Sequence, residues 1–548
     1  MKIAKHQLLY FSIFFILTVS VVSHLLFSWI GFNPTDDGFI LSLSRRIIDG
    51  QFPHRDFIFI RPALSPVIHV PFVYFGGEYT FWFSRLFVWI ELASISCIWT
   101  IIILHKFFSM KFNFLRDLFF ASACFVFSTY TAFIFAYTTY DALLFYSLGL
   151  LLCLGEFKFS RSAGYIVIGL AYLCRQNFLF VIPVSLWFFG DLRRIKYWVV
   201  VLLPGAFYLL LMLLNGALND FISQAVSLRG QFHGGIKVYV TNWGFWVFMV
   251  LGFVLMLIIG RGENLAKEKY KGYSILRWFV YLSVPVISLS FLNKEIYPLL
   301  ISFSIFGFVS GITLYLVIKK QPKFFKPGIF LLLSGWVVSV SVGMSYPALF
   351  SGEYILFIMI IVLKMYDENS FSEERLKLWL NVTGIILFFI IVSGFVYARL
   401  VYTYRDKSSF ELNYKIEKEI KGTKNIQTNV NTYLFLEDLN KAVSLTSGRT
   451  YCILPDLSAY WVQSSVENPL PFSWANKTEL NVNVFNIRVR EEIELKKGMI
   501  IILQKVFANS IQKDSSGIKL NDAYSPVIPF IKENFNKITE TSYFELYE

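Results

Sequence analysis

Apolar runs about 20 residues long recur through the first 400 positions, separated by short polar stretches, and beyond residue 400 that rhythm ends. A helix needs about 20 predominantly apolar residues to cross the hydrocarbon core of a bilayer. The first run follows Lys2 and Lys5 and predicts a span over residues 8–30. It is longer than the roughly 7–15 apolar residues of a cleavable signal and has no A-x-A-like site, so it is expected to stay attached. Further runs predict spans near 81–104, 117–136, 142–154, 163–174, 178–190, 196–214, 242–260, 275–292, 297–318, 328–344, 354–366 and 379–400, about thirteen in all. The short pair 163–174 and 178–190 reads as a hairpin with Arg175, Gln176 and Asn177 at its tip. An odd number of spans puts the two termini on opposite sides of the membrane.

Residues 401–548 have a different texture, with frequent charges, Asn, Ser and Thr and no run long enough to span. TYCILPD (450–456) and MIIILQKV (499–506) predict buried strands, and LEDLNKAVSLT (436–446) predicts a helix. The expected fold is an all-α polytopic membrane domain over residues 1–400, whose first outer loop, 31–80, carries interfacial helices. A small α/β domain outside the membrane follows over 401–548.

Composition agrees: 56% of the residues are hydrophobic and 16% charged, against about 25% charged in soluble proteins. A soluble enzyme, a disulfide scaffold and a disordered chain are excluded. The net charge of +13 first suggests nucleic acid, but its placement argues for a membrane instead. Loops 105–116, 156–162, 190–196, 261–277 and 319–327 are basic, and with the N-terminus they put roughly 22 Lys and Arg on one side against about 8 on the other. The expected orientation has the N-terminus in the cytoplasm and the C-terminal domain outside the cytoplasmic (inner) membrane. The five cysteines show no CxxC or Cys/His spacing, so neither a zinc site nor a disulfide framework is predicted.

Loop 31–80 is the richest in chemistry. Asp36 and Asp37 follow a Pro turn directly after the first span, and FILSLSRRIIDG then has the apolar spacing of an interfacial helix ending at Gly50. A carboxylate pair there binds a divalent ion, serves as a general base, or caps the helix that follows. Capping is the ordinary reading of the pair alone. His54, His69 and His233 have no metal-ligand spacing. Glu91 lies inside the second span, where an ionisable residue is a functional hypothesis by default, and Arg85 is its expected partner.

The order of these residues resembles the GT-C membrane glycosyltransferases. The resemblance is to the branch that uses polyprenyl-phosphate sugars, including protein O-mannosyltransferases and lipid A aminoarabinose transferases. The elements are Asp36-Asp37 after the first span, Arg61-Pro62 about 25 residues later, and Arg85 near the start of the second span. Asp141 in TTYDALLFYS and the Arg229/His233 cluster in SLRGQFHGG continue the pattern, while His54 stands where an aromatic is usual and PALSP replaces Pro-Pro-Leu. The resemblance implies an inverting transfer on the outer face, from a polyprenyl-phosphate-linked sugar to a hydroxyl of a lipid, protein or glycan. Asp36 is then the base, Asp37 or Asp141 positions the acceptor or the base, and Arg61, Arg229 and, less centrally, His233 receive the leaving phosphate. No cofactor is required, although the acidic pair offers a place for a divalent metal ion.

No Walker A or GxGxxG motif is present, in keeping with a lipid-borne rather than a nucleotide donor. Bland alternatives stand beside each role. Arg61 also reads as a snorkelling interfacial residue, Arg229 as a solvated loop charge, and Asp141 as a helix cap. The competing classes are a transporter or flippase and a polymerase or ligase for lipid-linked saccharides.

Overall fold

The computed structural model of the protein describes residues 2–130, 132–226, 231–262, 302–341, 348–367, 374–477, 479–480, 483–496, 498–512 and 517–548. Helices dominate. In chain order they are α1 (Lys2–Phe27), α2 (Asp36–Ile48), α3 (Leu64–Gly76), α4 (Thr80–Ile101), α5 (Phe114–Thr129), α6 (Thr138–Cys153), α7 (Ser160–Cys174), α8 (Val181–Phe188) and α9 (Ile195–Leu214). They continue as α10 (Leu218–Val226), α11 (Gln231–Thr241), α12 (Trp243–Gly262), α13 (Ser302–Ile318), α14 (Pro322–Ser341), α15 (Ser351–Asp367) and α16 (Glu374–Val401).

Four helical runs among the described residues are long and apolar enough to cross a membrane: His6–Phe27, Leu64–Phe107, Ile195–Leu214 and Pro322–Val340. A fifth exists if Gly235–Thr241 and Trp243–Leu257, bent by 65°, count as one span. The chain is mostly helical, with four or five candidate membrane spans among the described residues and a small C-terminal sheet region. Its helices lie where the apolar runs predicted them, but several, such as the 16-residue α6 and the 8-residue α8, are shorter than a straight crossing needs. Thirteen full-length spans are therefore not reached among the described residues, and the run at 275–292 lies outside them. Within the stretch expected as the first outer loop, Leu64–Gly76 is helical and belongs to the 44-residue apolar run with α4.

Without a strong hydrophobic drive between helices in lipid, close packing depends on small residues. α6 and α7 cross at Gly149 and Gly164, where an added Cβ on Gly164 would sit 2.5 Å from the Gly149 carbonyl oxygen. Gly252 of α12 and Gly311 of α13 play the same part for that pair, each lying against the other helix's backbone.

The C-terminal region adds α17 (Val430–Ser444), α18 (Asn483–Leu495) and α19 (Val527–Asn534). A two-stranded ribbon pairs β1 (Tyr414–Lys415) with β2 (Gln427–Thr428). The sheet proper has the order β3-β4-β6-β5, with β3 (Tyr451–Leu454) and β4 (Ile500–Gln504) parallel and β6 (Phe544–Tyr547) antiparallel to both β4 and β5 (Lys537–Glu540). The two expected strands are β3 and β4, buried along their length as their apolar runs demand.

This region docks on the loop after α1. The buried Arg46 of α2 donates to the carbonyls of Leu470 (2.5 Å) and Phe472 (2.9 Å). Gly38 lets α2 lie against the backbone of Ala459, since a Cβ there would fall 2.1 Å from Ala459 Cα. Asp406 is a hub, accepting from Phe32 N–H (2.9 Å), Thr428 Oγ1 (2.7 Å) and Asn429 Nδ2 (2.5 Å).

Candidate active site

The acidic pair opens α2, as its chemistry dictates. Asn33 Oδ1 accepts the N–H groups of Thr35 (3.1 Å) and Asp36 (2.7 Å), and both carboxylates stand in the first turn, where the helix dipole favours negative charge. The two then diverge. Asp37, buried, accepts from Asn33 N–H through Oδ2 (2.8 Å) and from Arg85 Nη2 through Oδ1 (2.7 Å). Arg85 also donates to the carbonyls of Ser28 (2.7 Å) and Gly31 (2.8 Å), so this pair fastens the end of α1 to α4. Arg85 is thus committed to Asp37 and not to Glu91, which corrects the sequence expectation.

Asp36 has different company. Its Oδ2 accepts from Arg405 Nη1 (2.5 Å) and from the Tyr404 hydroxyl (3.2 Å), and no described donor reaches Oδ1. Burial pushes both carboxyls above their ordinary range, with Arg405 opposing the shift at Asp36 and Arg85 at Asp37. A raised base is closer in proton affinity to a working pH near neutrality. Asp36 and Asp37 are each held by a different guanidinium, so they do not turn their oxygens toward one ion. Among the described residues no group of three or more His, Cys, Asp or Glu side chains is placed to hold a metal.

Beneath α2 lies Asp456, which follows β3 and is buried. The Tyr524 hydroxyl donates to its Oδ2 (2.9 Å), Oδ1 has no described partner, and its backbone carbonyl accepts from Thr35 Oγ1 (2.6 Å). Burial pushes its carboxyl up to about 6, against the Tyr524 and Gln504 hydrogen bonds.

An aromatic wall runs away from Asp36. The Tyr404 ring meets Phe133 at 4.3 Å and Phe135 at 5.5 Å, Phe133 meets Tyr137 at 5.8 Å, and the Arg175 guanidinium lies 5.5 Å over the Tyr137 ring. The next residue, Gln176, donates to the Ile60 carbonyl (2.7 Å) and so links Arg175 to Arg61, whose Nη1 donates to Glu479 Oε1 (3.0 Å) and whose guanidinium lies over Phe39 and Phe59. A half-buried carboxylate, a set of rings and two arginines thus form one continuous surface.

No family model matches this chain, and no curated protein matches it. Among solved structures it is similar to ArnT from Cupriavidus metallidurans, a crystal structure in the apo state, at 12% identity over 99% of this chain and 98% of that one, with a TM-score of 0.38.

The remaining sequence candidates fall elsewhere or outside the description. Asp141 sits in the first turn of α6, with Oδ1 3.3 Å from His69 Nε2 of α3, both side chains inaccessible. Glu91 of α4 faces the same carboxylate, and the two acids are close enough to share a proton. Arg229 lies outside the described residues. His233 falls on α11 (Gln231–Thr241), of which only the backbone is described there. His54 is buried with both ring nitrogens engaged, by Gln224 Oε1 (2.8 Å) and the Tyr208 hydroxyl (2.7 Å). Burial pushes its pKa down to about 4, so it is a neutral bridge.

Sequence reasoning missed Tyr404, Arg405, Glu479 and the role of Arg175. Tyr404 and Arg405 follow the last span as Asp36 and Asp37 follow the first, and that symmetry was the available signal. Glu479 carries none.

Proposed function

We propose that the protein is an integral membrane glycosyltransferase that moves a sugar from a polyprenyl-phosphate-linked donor to an acceptor hydroxyl on the extracytoplasmic side. The N-terminus lies in the cytoplasm. Asp36 takes the proton of the acceptor hydroxyl, whose oxygen attacks the anomeric carbon. The bond from that carbon to the phosphate oxygen breaks, polyprenyl phosphate leaves, and the configuration inverts. Arg61 receives the leaving phosphate, with Arg229 and His233 as the further cations expected from sequence. Asp37 positions α2 through its pair with Arg85 and does not touch substrate. The scheme runs without a metal or cofactor.

One observation carries the reading: Asp36 keeps a carboxylate oxygen without a described donor, at the head of an aromatic wall whose other end holds two arginines. Rings of that kind suit the faces of a sugar or an isoprenoid chain, and the arginines suit a phosphate. The test is Asp36→Asn in membranes supplied with polyprenyl-phosphate sugars and candidate acceptors. Transfer is expected to fall by about 10²–10⁴-fold at unchanged protein level. Normal transfer removes Asp36 as the base.

A specific feature favours a second reading. His69, Glu91 and Asp141 form an inaccessible ionisable cluster within the helices, as transporters place theirs. Flipping of a lipid-linked saccharide by Asp36→Asn protein, without transfer by the wild type, selects that reading.

A further inference from the structure

Arg61 and Arg175 come from distant parts of the chain, one before α3 and the other between α7 and α8, and the hydrogen bond from Gln176 Nε2 to the Ile60 carbonyl (2.7 Å) brings their neighbourhoods together at the end of the aromatic wall. Among the described residues one carboxylate is paired with them. Glu479 pairs with Arg61 at 3.0 Å, with side-chain exposures of 8% and 13%. Arg175, itself 8% exposed, donates through Nη1 to the Thr138 and Thr139 hydroxyls, each at 3.2 Å, and lies over the Tyr137 ring. No carboxylate is hydrogen-bonded to it among the described residues. Both guanidiniums stay charged in a protein, so among the described partners two positive charges face one negative. A buried charge without a full counter-charge is costly, and an anion entering here is correspondingly favoured. A phosphate offers several oxygens to two planar forks, which hydroxyls cannot replace.

We propose that Arg61 and Arg175 form one binding site for the phosphate of the lipid-linked donor, and that Glu479 occupies it until the donor displaces it. This rests on the polyprenyl-phosphate reading above. Glu479 is suited to leave: its backbone N–H is held by Asn476 Oδ1 (3.0 Å), so the turn stays in place when the side chain swings away. The apparent affinity of the site is then set by how often Glu479 vacates it. Arg175 is a binding residue and Glu479 a competitor, and the two respond to substitution in opposite directions.

The experiment uses the full chain in nanodiscs and isothermal titration with farnesyl phosphate, a short soluble relative of polyprenyl phosphate. Inorganic phosphate is the second arm. Arg175→Gln is expected to weaken farnesyl phosphate binding at least tenfold, Arg175→Lys less, and Glu479→Gln to tighten it roughly tenfold. A melting curve accompanies each variant. If Arg175→Gln does not fold, Arg175→Lys and Glu479→Gln decide. Wild-type affinity in a well-folded Arg175→Gln protein, or weaker binding in Glu479→Gln, overturns the proposal. Equal binding of inorganic and farnesyl phosphate, both lost in Arg175→Gln, keeps the two-arginine anion site and overturns the lipid donor. Binding of neither probe by wild type or Glu479→Gln overturns the anion site, and the Asp36→Asn transfer assay then judges the glycosyltransferase reading separately.

Discussion

Two acidic clusters sit within this chain, built from the same residue types and treated in opposite ways. Asp36 and Asp37, at the junction of loop and C-terminal domain, are met by Arg405, Tyr404, Arg85 and the Asn33 N–H just before α2. Glu91 and Asp141, a few helices away, have only an imidazole and each other, in apolar surroundings. The difference teaches where carboxylates hold a structure together and where they burden it. A buried acid with a fitted guanidinium locks two elements, whereas one without such a counter-charge stays only where something other than stability keeps it.

The comparison breaks first at Asp37. Asp37→Ala leaves Arg85 buried among carbonyls without its counter-charge, and a loss of about 3–5 kcal/mol is expected from melting in detergent. A loss under about 1 kcal/mol would show that Asp37 is no keystone. Next is Asp456, whose pKa is raised to about 6 from 3.8. The folded state binds this proton more tightly than the unfolded state, so the contribution is present below pH 3.8 and is lost as pH rises toward 6. The full window corresponds to roughly 3 kcal/mol. Asp456→Asn protein should therefore gain on wild type between about pH 4 and pH 7, and parallel melting profiles across that range would refute the assignment.

The buried cluster should respond with the opposite sign from Asp37. Glu91→Met replaces a buried carboxyl that has no cationic partner among the described residues by apolar volume, and is expected to stabilise by about 1–3 kcal/mol. A loss of that size would mean that the carboxyl has partners the comparison denies. The smallest effect belongs to Arg45, on the exposed face of α2 and paired to Asp49 at 2.9 Å one turn on. Arg45→Ala should cost about 0.3–0.5 kcal/mol, which separates a local helix pair from the cross-domain anchors on the same helix.

Much of this was legible from periodicity. The apolar runs located most of the helices, YCIL and IIILQ gave the two parallel strands, and the acidic pair after the first span marked the head of α2. Helix length was less legible, because a run of apolar residues sets where a helix lies but not where packing ends it, as α6 and α8 show. Within the stretch 31–80, α3 forms over Leu64–Gly76 with Pro71 inside it, a helix whose bounds were not legible in the sequence. The pairings escaped entirely. Arg405 with Asp36 and Glu479 with Arg61 join positions 369 and 418 residues apart, and no local pattern encodes such a contact. Glu91 was given to Arg85, the nearest cation on its own helix, but Arg85 is drawn to the loop carbonyls and Asp37 at the end of α1.

The distance between Asp36 and Arg405 also has a meaning in time. A ribosome adding about 5–20 residues per second needs on the order of 20–70 s to reach Arg405 after making Asp36. Throughout that interval the acid lacks its guanidinium and the arginine at position 61 lacks Glu479. Any chain that stops short of residue 404 has the helices and the acidic pair but never closes the site around them. Passage of synthesis beyond residue 405, and beyond residue 479 for the second pair, is thus written into the contacts themselves.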